Sequence, residues 1–237
     1  IKYHLYGFLS VKKKFSTGDW LKLVLKKIKQ IRARGKIPII VGGTGLYFKS
    51  LIDGLVKIPN IPVKFRNLIR AEHGKIGQEK FYQKLLKIDP KIKNYINPKD
   101  TQRTLRAYEI KKFTKVSMMD WFKKTIKHFE DEDFIKIYFN IPRNILIDRI
   151  NNRVNKMFVK GAKREVKKFN GLGVKSDYSA NKVIGIKKII KYLKKETTLL
   201  ETKEKITIKT RQYAKRQTTW SRKHMSSWQV INPLNAV

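Results

Sequence analysis

The chain contains no cysteine among its 237 residues. Disulfides and thiolate metal sites are therefore excluded, as is common in proteins from a reducing compartment. It also lacks any apolar run near the roughly 18 residues that cross a bilayer, and it has no secretory signal pattern. We therefore expect a cytoplasmic protein without a membrane partner.

Acidic residues are scarce. Asp and Glu number 18 against 56 Lys and Arg, so the net charge is +38. Such a charge favours a polyanionic partner, because neutralising phosphates releases counterions and strengthens binding. An A+T-rich coding sequence is a second explanation, since lysine outnumbers arginine 43 to 13. Clustered arginines are therefore stronger evidence of a site than lysines.

The hydrophobic fraction of 41% indicates a folded chain. Hydrophobic periodicity predicts a helix over 16–34, capped by Ser16 or Thr17. It predicts a strand at 37–41 and a buried strand at 134–139, both in one parallel sheet, with a helical middle region between them. Further helices are predicted over 144–159, 161–170, 179–195 and 202–224. The fold class is therefore α/β, with a helical insertion in the core.

The string IPIIVGGTGLYFKSLIDGL, residues 37–55, joins the first predicted strand to a helix through a glycine turn. Parallel sheets place ligands at the carboxyl ends of their strands, and glycines let the backbone approach an anion. Thr44 then has two interpretations, a ligand-binding hydroxyl or a simple helix cap.

A second string, DPKIKNYINPKDTQRTLRAYEI, begins at Asp89 and includes a helix that Asp100 is well placed to cap. Arg103 and Arg106 lie three residues apart on this helix and project from one face. Paired guanidinium groups suit phosphates or a base edge. The alternative is that both arginines form surface ion pairs with Asp100 or Glu109.

A third string, RQYAKRQTTWSR, covers residues 211–222 and interleaves basic groups with Tyr213 and Trp220. This arrangement suits phosphate contacts and base stacking. The alternative is an amphipathic helix whose Tyr213, Gln217 and Trp220 pack inward. We expect packing for Trp220 and phosphate contacts for the cations Lys215, Arg216 and Arg222.

The three strings together resemble the signatures of the tRNA dimethylallyltransferases, or IPP transferases, which prenylate an adenine beside the anticodon. The resemblance implies a P-loop NTPase-like parallel-sheet core with a helical insertion domain that binds tRNA. We expect domain boundaries of 1–57 and 131–237 for the core and 58–130 for the insertion. The implied partners are the tRNA anticodon stem-loop and dimethylallyl diphosphate, with Mg²⁺ as cofactor, and we expect a monomer.

Carrying the family's motifs over residue by residue implies a substrate-binding and tRNA-binding set: Thr44, Arg66, Gln102, Arg103, Arg106, Lys182 and Lys187. The same comparison implies supporting residues: Gly42, Gly43, Tyr47, Asp100, Lys215, Arg216 and Arg222. No catalytic residue and no metal ligand is assigned in this chain.

Two elements of the family pattern do not occur in the sequence. One is the Gly-x-x-x-x-Gly-Lys-[Ser/Thr] loop for the diphosphate, and the other is the Asp-Ser-x-Gln segment with the general-base Asp. We therefore expect an N-terminally truncated chain, either a fragment or the product of a decayed gene, with weak tRNA binding and little transferase activity. A non-catalytic, basic RNA-binding protein is the alternative function. A nucleoside-triphosphatase is a third, although it would need the absent loop.

Overall fold

The computed structural model describes residues 1–234, and its chain divides into two compact units. The first unit comprises Ile1–Phe48 and the residues from Glu132 onward, and the second comprises Lys49–Asp131. Each unit is described by itself.

The described residues form helices and a small parallel sheet, consistent with an α/β protein. In chain order the elements are α1 (Thr17–Arg32), α2 (Gly45–Ile52), α3 (Val63–Ile88), α4 (Thr101–Thr114), α5 (Met118–Phe122), β1 (Ile137–Phe139), α6 (Arg143–Val159), α7 (Ala162–Gly171), α8 (Ile186–Leu193), α9 (Leu199–His224) and β2 (Gln229–Ile231). Short 3-10 turns cover Pro90–Ile92, Asp131–Asp133 and Ser179–Lys182.

Helix α1 begins where the sequence predicts it. Ser16 is the N-cap, and its hydroxyl accepts a hydrogen bond from the backbone N–H of Asp19 at 3.1 Å. The Asp19 carboxylate in turn accepts from the backbone N–H of Ser16 at 3.0 Å. This reciprocal capping box satisfies two backbone donors that a helix start leaves unpaired.

The strand predicted at 37–41 is wrong, because these residues pair with no strand in the described part of the chain. Ile37, Ile39 and Val41 are exposed instead. The strand predicted at 134–139 is shorter, at Ile137–Phe139, and it pairs in parallel with β2. A β-branched run indicates strand propensity, but a strand also needs a neighbour to satisfy its backbone.

The remaining helices of the first unit mostly match their predicted spans. The exception is 179–195, where a 3-10 turn comes first and α8 starts only at Ile186. Gly185 precedes it with φ of 109°, a conformation that L side chains rarely adopt and that cannot continue a helix. Helices α6 to α9 enclose a shared apolar core: Val154, Phe158, Ala162, Val166, Ile189 and Ile206.

The second unit is helical, and in it α3 packs against α4. Helix α3 is interrupted at Gly77, where φ is 78° and the backbone kinks. The buried core includes Phe81, Leu85 and Tyr108. Among the described residues of the whole chain, no helix combines the length and apolarity needed to cross a bilayer.

The α1 capping box predicts a pH-dependent contribution to stability. Ser16→Ala should lower the free energy of unfolding by about 1 kcal/mol at neutral pH, as is typical for the loss of an N-cap. The Ser16 hydroxyl, followed by its backbone N–H, lowers the pKa of Asp19. This stabilisation is therefore complete above the pKa of an unfolded Asp and is lost as the pH falls through the lowered value.

Urea unfolding of both proteins at neutral and strongly acidic pH checks this prediction, and the difference between them should shrink in acid. Ser226→Ala is a matched control, because Ser226 is exposed and its side chain forms no hydrogen bond within the described residues. An equal loss of stability in the control would contradict the capping role.

Candidate functional site

The glycine turn and helix α9 are in direct contact. The side-chain amide of Gln217 donates a hydrogen bond to the Gly43 carbonyl at 2.9 Å, between residues 174 positions apart in sequence. Gln217 belongs to the third string and Gly43 to the first. The structure thus joins two of the three strings that the sequence singled out.

This contact requires glycine in the turn. A Cβ atom at Gly45 would overlap the ring of Trp220, and one at Gly43 would meet the Gln217 amide. Trp220 is itself held by a parallel stack on His224, with ring centroids 4.4 Å apart. The expected packing of Trp220 is confirmed, because its indole lies against the turn.

The start of α2 is held from the other side by an aromatic pair. Tyr47 stacks on Trp20 of α1 with ring centroids 4.4 Å apart and an interplanar angle of 9°. The backbone N–H of Tyr47 donates to the carbonyl of Thr44 at 2.9 Å. Sequence reasoning placed Trp20 on the apolar face of α1 and did not find this role, since stacking between separate helices leaves no local pattern.

Thr44 is exposed at the end of the turn. Its side chain forms no hydrogen bond to any residue between 1 and 234, so the helix-cap interpretation is not observed. The hydroxyl is available to a ligand as both donor and acceptor.

The other predicted residues of the first unit are exposed cations. Lys215, Arg216 and Arg222 lie on α9, Lys182 ends a 3-10 turn and Lys187 lies in α8. The Arg216 guanidinium lies over the ring of Tyr213, 5.7 Å from its centroid. Tyr213 is 40% exposed, so the inward-packing stripe is wrong at this position.

In the second unit, Asp100 caps α4 as predicted, and its carboxylate accepts from the backbone N–H of Arg103 at 3.0 Å. The same carboxylate pairs with the Arg103 guanidinium at 2.8 Å. Gln102 and Arg103 are both exposed on α4. The ion-pair alternative is therefore what the structure shows for Arg103, and the pair holds the guanidinium near the helix start.

Glu109 organises two further arginines. Its side chain is only 3% exposed and lies 3.5 Å from Arg106 and 3.6 Å from Arg70 of α3. Arg66, one turn before Arg70, has a buried Nε without a hydrogen-bond partner in the described part of the protein. Sequence reasoning missed Arg70, although its spacing of four from Arg66 is the signal that two side chains share a helix face.

The residues from 1 to 234 contain no cluster of three or more His, Cys, Asp or Glu side chains that could hold a metal ion. The acidic ligands that Mg²⁺ prefers are thus not grouped there. We assign no step of the reaction to Mg²⁺.

Known proteins resemble this chain over nearly its whole length. Residues 1–224 match the family model described as IPP transferase. This chain belongs to the IPP transferase family. It is 57% identical to a tRNA dimethylallyltransferase from Pelagibacter ubique over 99% of the chain and 75% of that relative. A tRNA dimethylallyltransferase from Rickettsia massiliae is 42% identical over 93% of the chain, which spans only 61% of that relative.

A solved structure agrees with this assignment. The full-length tRNA isopentenylpyrophosphate transferase from Bacillus halodurans is 31% identical, with a TM-score of 0.63. The match covers 97% of this chain and 71% of the solved one. The resemblance inferred from the three strings is therefore confirmed, and the IPP transferases are a family of tRNA-modifying prenyltransferases. The comparisons do not bear out the expected N-terminal truncation, and no finding supports the expected loss of activity. The individual site residues stay predictions.

The contact between the turn and α9 predicts different outcomes for two neighbouring glycines. Gly45→Ala should destabilise the protein by about 1–3 kcal/mol, because overpacking a fixed ring forces the backbone or the ring to move. Gly42→Ala is the matched control, since an added Cβ there meets only Phe48 at 3.9 Å.

Urea unfolding and tryptophan fluorescence measure the effect. The emission should change in Gly45→Ala and stay unchanged in Gly42→Ala. Equal stability of the two variants would show that Trp220 does not restrain the turn.

The buried carboxylate of Glu109 predicts a large stability effect for a conservative change. Glu109→Gln should cost about 1–3 kcal/mol of unfolding free energy, since it leaves two arginines without their buried charged partner. Asp120→Asn removes a carboxylate whose partner Lys91 is well exposed, and it should change stability little. Thermal denaturation compares them, and an equal effect would contradict the special role of Glu109.

Proposed function

We propose that the protein transfers a dimethylallyl group from dimethylallyl diphosphate to N6 of the adenine on the 3′ side of the tRNA anticodon. The observation that carries this proposal is the match to the IPP transferase model over residues 1–224. The geometry supports it, because the glycine turn and the α9 string, both typical of the family, are in contact.

The reaction is an alkyl transfer that needs no redox partner. The N6 lone pair forms a bond to the first carbon of the dimethylallyl group, and the carbon–oxygen bond to diphosphate breaks. The electron pair of that bond leaves with the diphosphate, and N6 loses one proton to a base. The described residues provide no assigned base, so the proposal concerns binding and orientation by this chain.

Thr44 is the proposed contact to the adenine or to the prenyl donor. Its exposed hydroxyl has no competing intramolecular partner in the described part of the chain, and Gln217 and Trp220 restrain its turn. The adenine must leave its stack to reach such a site, at a cost of a few kcal/mol that protein–RNA contacts must offset. Exposed cations supply such contacts.

The proposed tRNA contacts of the second unit are Arg66, Gln102, Arg103 and Arg106. Glu109 and Asp100 hold two of these guanidinium groups by ion pairs, which reduces the entropy that binding would otherwise cost. We further propose a P-loop NTPase-like core, with residues 58–130 as the tRNA-binding insertion, and Lys182 and Lys187 as additional phosphate contacts.

A non-catalytic RNA-binding protein is the second candidate function, and it accounts for the net charge of +38 as well as the first does. Both candidates predict RNA binding, so affinity does not separate them. Chemical modification of the RNA does.

The test incubates the protein with dimethylallyl diphosphate, Mg²⁺ and an anticodon stem-loop RNA, and it analyses the nucleosides by mass spectrometry. We expect a mass gain of one dimethylallyl group on the target adenine and none in an RNA with guanine at that position. Arg103→Ala should lower the rate at low RNA concentration about tenfold or more, since a charge-assisted hydrogen bond is worth about 1.5–3 kcal/mol.

Lys80→Ala removes the same charge from an exposed position of α3 and is the matched control. Binding without a modified nucleoside would favour the non-catalytic alternative. An unchanged rate in Arg103→Ala would remove that residue from the site.

A further inference from the structure

Helix α6 presents an uninterrupted row of cations to solvent. The row, here called the α6 basic face, consists of Arg149, Arg153, Lys156 and the C-cap residue Lys160, with spacings of four, three and four residues. Such spacings place side chains on one side of a helix. The opposite side of α6 packs into the core of the first unit through Ile150, Val154 and Phe158. Packing therefore fixes which way the cations point.

These cations have no intramolecular partner in the part of the chain that the structure describes. Within the described residues, none of the four side chains forms an ion pair or a hydrogen bond. Asp148 is the acidic residue of α6, and it pairs with none of them. By contrast, Arg103 and Arg106 of α4 are both paired with carboxylates. Unlike Arg103 and Arg106, the α6 basic face therefore has no carboxylate to displace when an external anion binds.

Composition does not account for this row. Neighbouring like charges on a helix destabilise it slightly, whereas alternating signs would stabilise it. An A+T-rich coding sequence raises lysine, but it does not explain two of the chain's 13 arginines one turn apart. Arginine offers a planar fork of donors that matches phosphate oxygens.

We propose that the α6 basic face is a binding site for the phosphate backbone of RNA. The four cations, with Asn152 and Met157, line an open groove of about 480 Å³. From Arg149 to Lys160 the row covers eleven residue steps, or about 16 Å at a rise of about 1.5 Å per residue. A nucleic-acid strand in a duplex carries one phosphate per about 3.4 Å of axis, so several phosphates fit along it.

The α6 basic face shares no residue with the set proposed above, which includes Thr44 and the arginines of α4. It rests on the proposed function to the extent that the protein must bind RNA. It adds a sequence-independent contact, because backbone contacts position a nucleic acid without reading its bases.

The test measures the affinity of the 237-residue chain for an anticodon stem-loop RNA by fluorescence anisotropy at several KCl concentrations. Arg149→Gln/Arg153→Gln should bind more weakly at every concentration. The slope of log K against log [KCl] should become shallower by about 1.5, because each lost phosphate contact removes about 0.7–0.9. Arg149→Lys/Arg153→Lys keeps both charges and should largely preserve the slope while losing some affinity.

Lys22→Gln/Lys26→Gln is the matched control. It removes the same charge at the same spacing from exposed positions of α1, which has nearly the same length as α6. An equal change of slope in the control would show that net charge alone is responsible and would overturn the proposal. Far-UV circular dichroism checks that each variant is folded. If the glutamine double variant does not fold, the loss of RNA affinity in the lysine double variant tests the proposal instead.

Two further outcomes separate this inference from the proposed function. If the unmodified protein does not bind the RNA, the proposed function fails and the inference fails with it. If the unmodified protein binds the RNA and the α6 double variant has the same affinity and salt slope, the inference fails while the proposed function stands. Selective loss of binding to phosphatidylserine vesicles, with RNA binding intact, would assign the α6 basic face to a membrane surface and overturn the proposal.

Discussion

The contact between the glycine turn and α9 is the constraint on which the proposed site of the first unit depends. Gln217 bonds to the Gly43 carbonyl, and Trp220 lies where any side chain at Gly45 would be. The absence of a Cβ therefore permits an approach between segments that are distant in sequence. Thr44 owes its position to this contact, because its own side chain makes no hydrogen bond within the described structure.

Scarcity of acidic residues shapes the electrostatics of the protein. The chain has 18 carboxylates for 56 cations, and within the described residues most basic side chains form no ion pair. Asp100 caps α4 and also pairs with Arg103. Glu109 of the same helix is buried and pairs with Arg106. The α6 basic face represents the opposite case, in which the cations are exposed and unpaired among the described residues. An ion-paired arginine keeps its guanidinium in a defined position. Unpaired cations attract a phosphate backbone whatever its base sequence.

Local interactions explain why much of the helical structure was predictable. The Ser16 capping box, the Asp100 cap and the apolar periodicity of α6 all depend on residues within a few positions of one another. The strand prediction for 37–41 was wrong because strand formation depends on residues far away in sequence. Residues 37–41 have the right propensity, but a strand forms only with a partner, and β1 pairs with β2 from the far end of the chain.

The sequence by itself determined the family, since its three strings carry side chains and glycines at specific spacings. It also determined where α1 and α4 begin, because Ser16 and Asp100 cap them. Only the tertiary structure decided that Trp220 and Gln217 meet the glycine turn, that Tyr47 stacks on Trp20, and that Arg106 and Arg70 share Glu109. It also decided that Tyr213 is exposed and that the α6 cations have no partner among the described residues. These features depend on contacts between segments far apart in sequence. The packing of buried apolar faces creates such contacts, and no local sequence pattern predicts them.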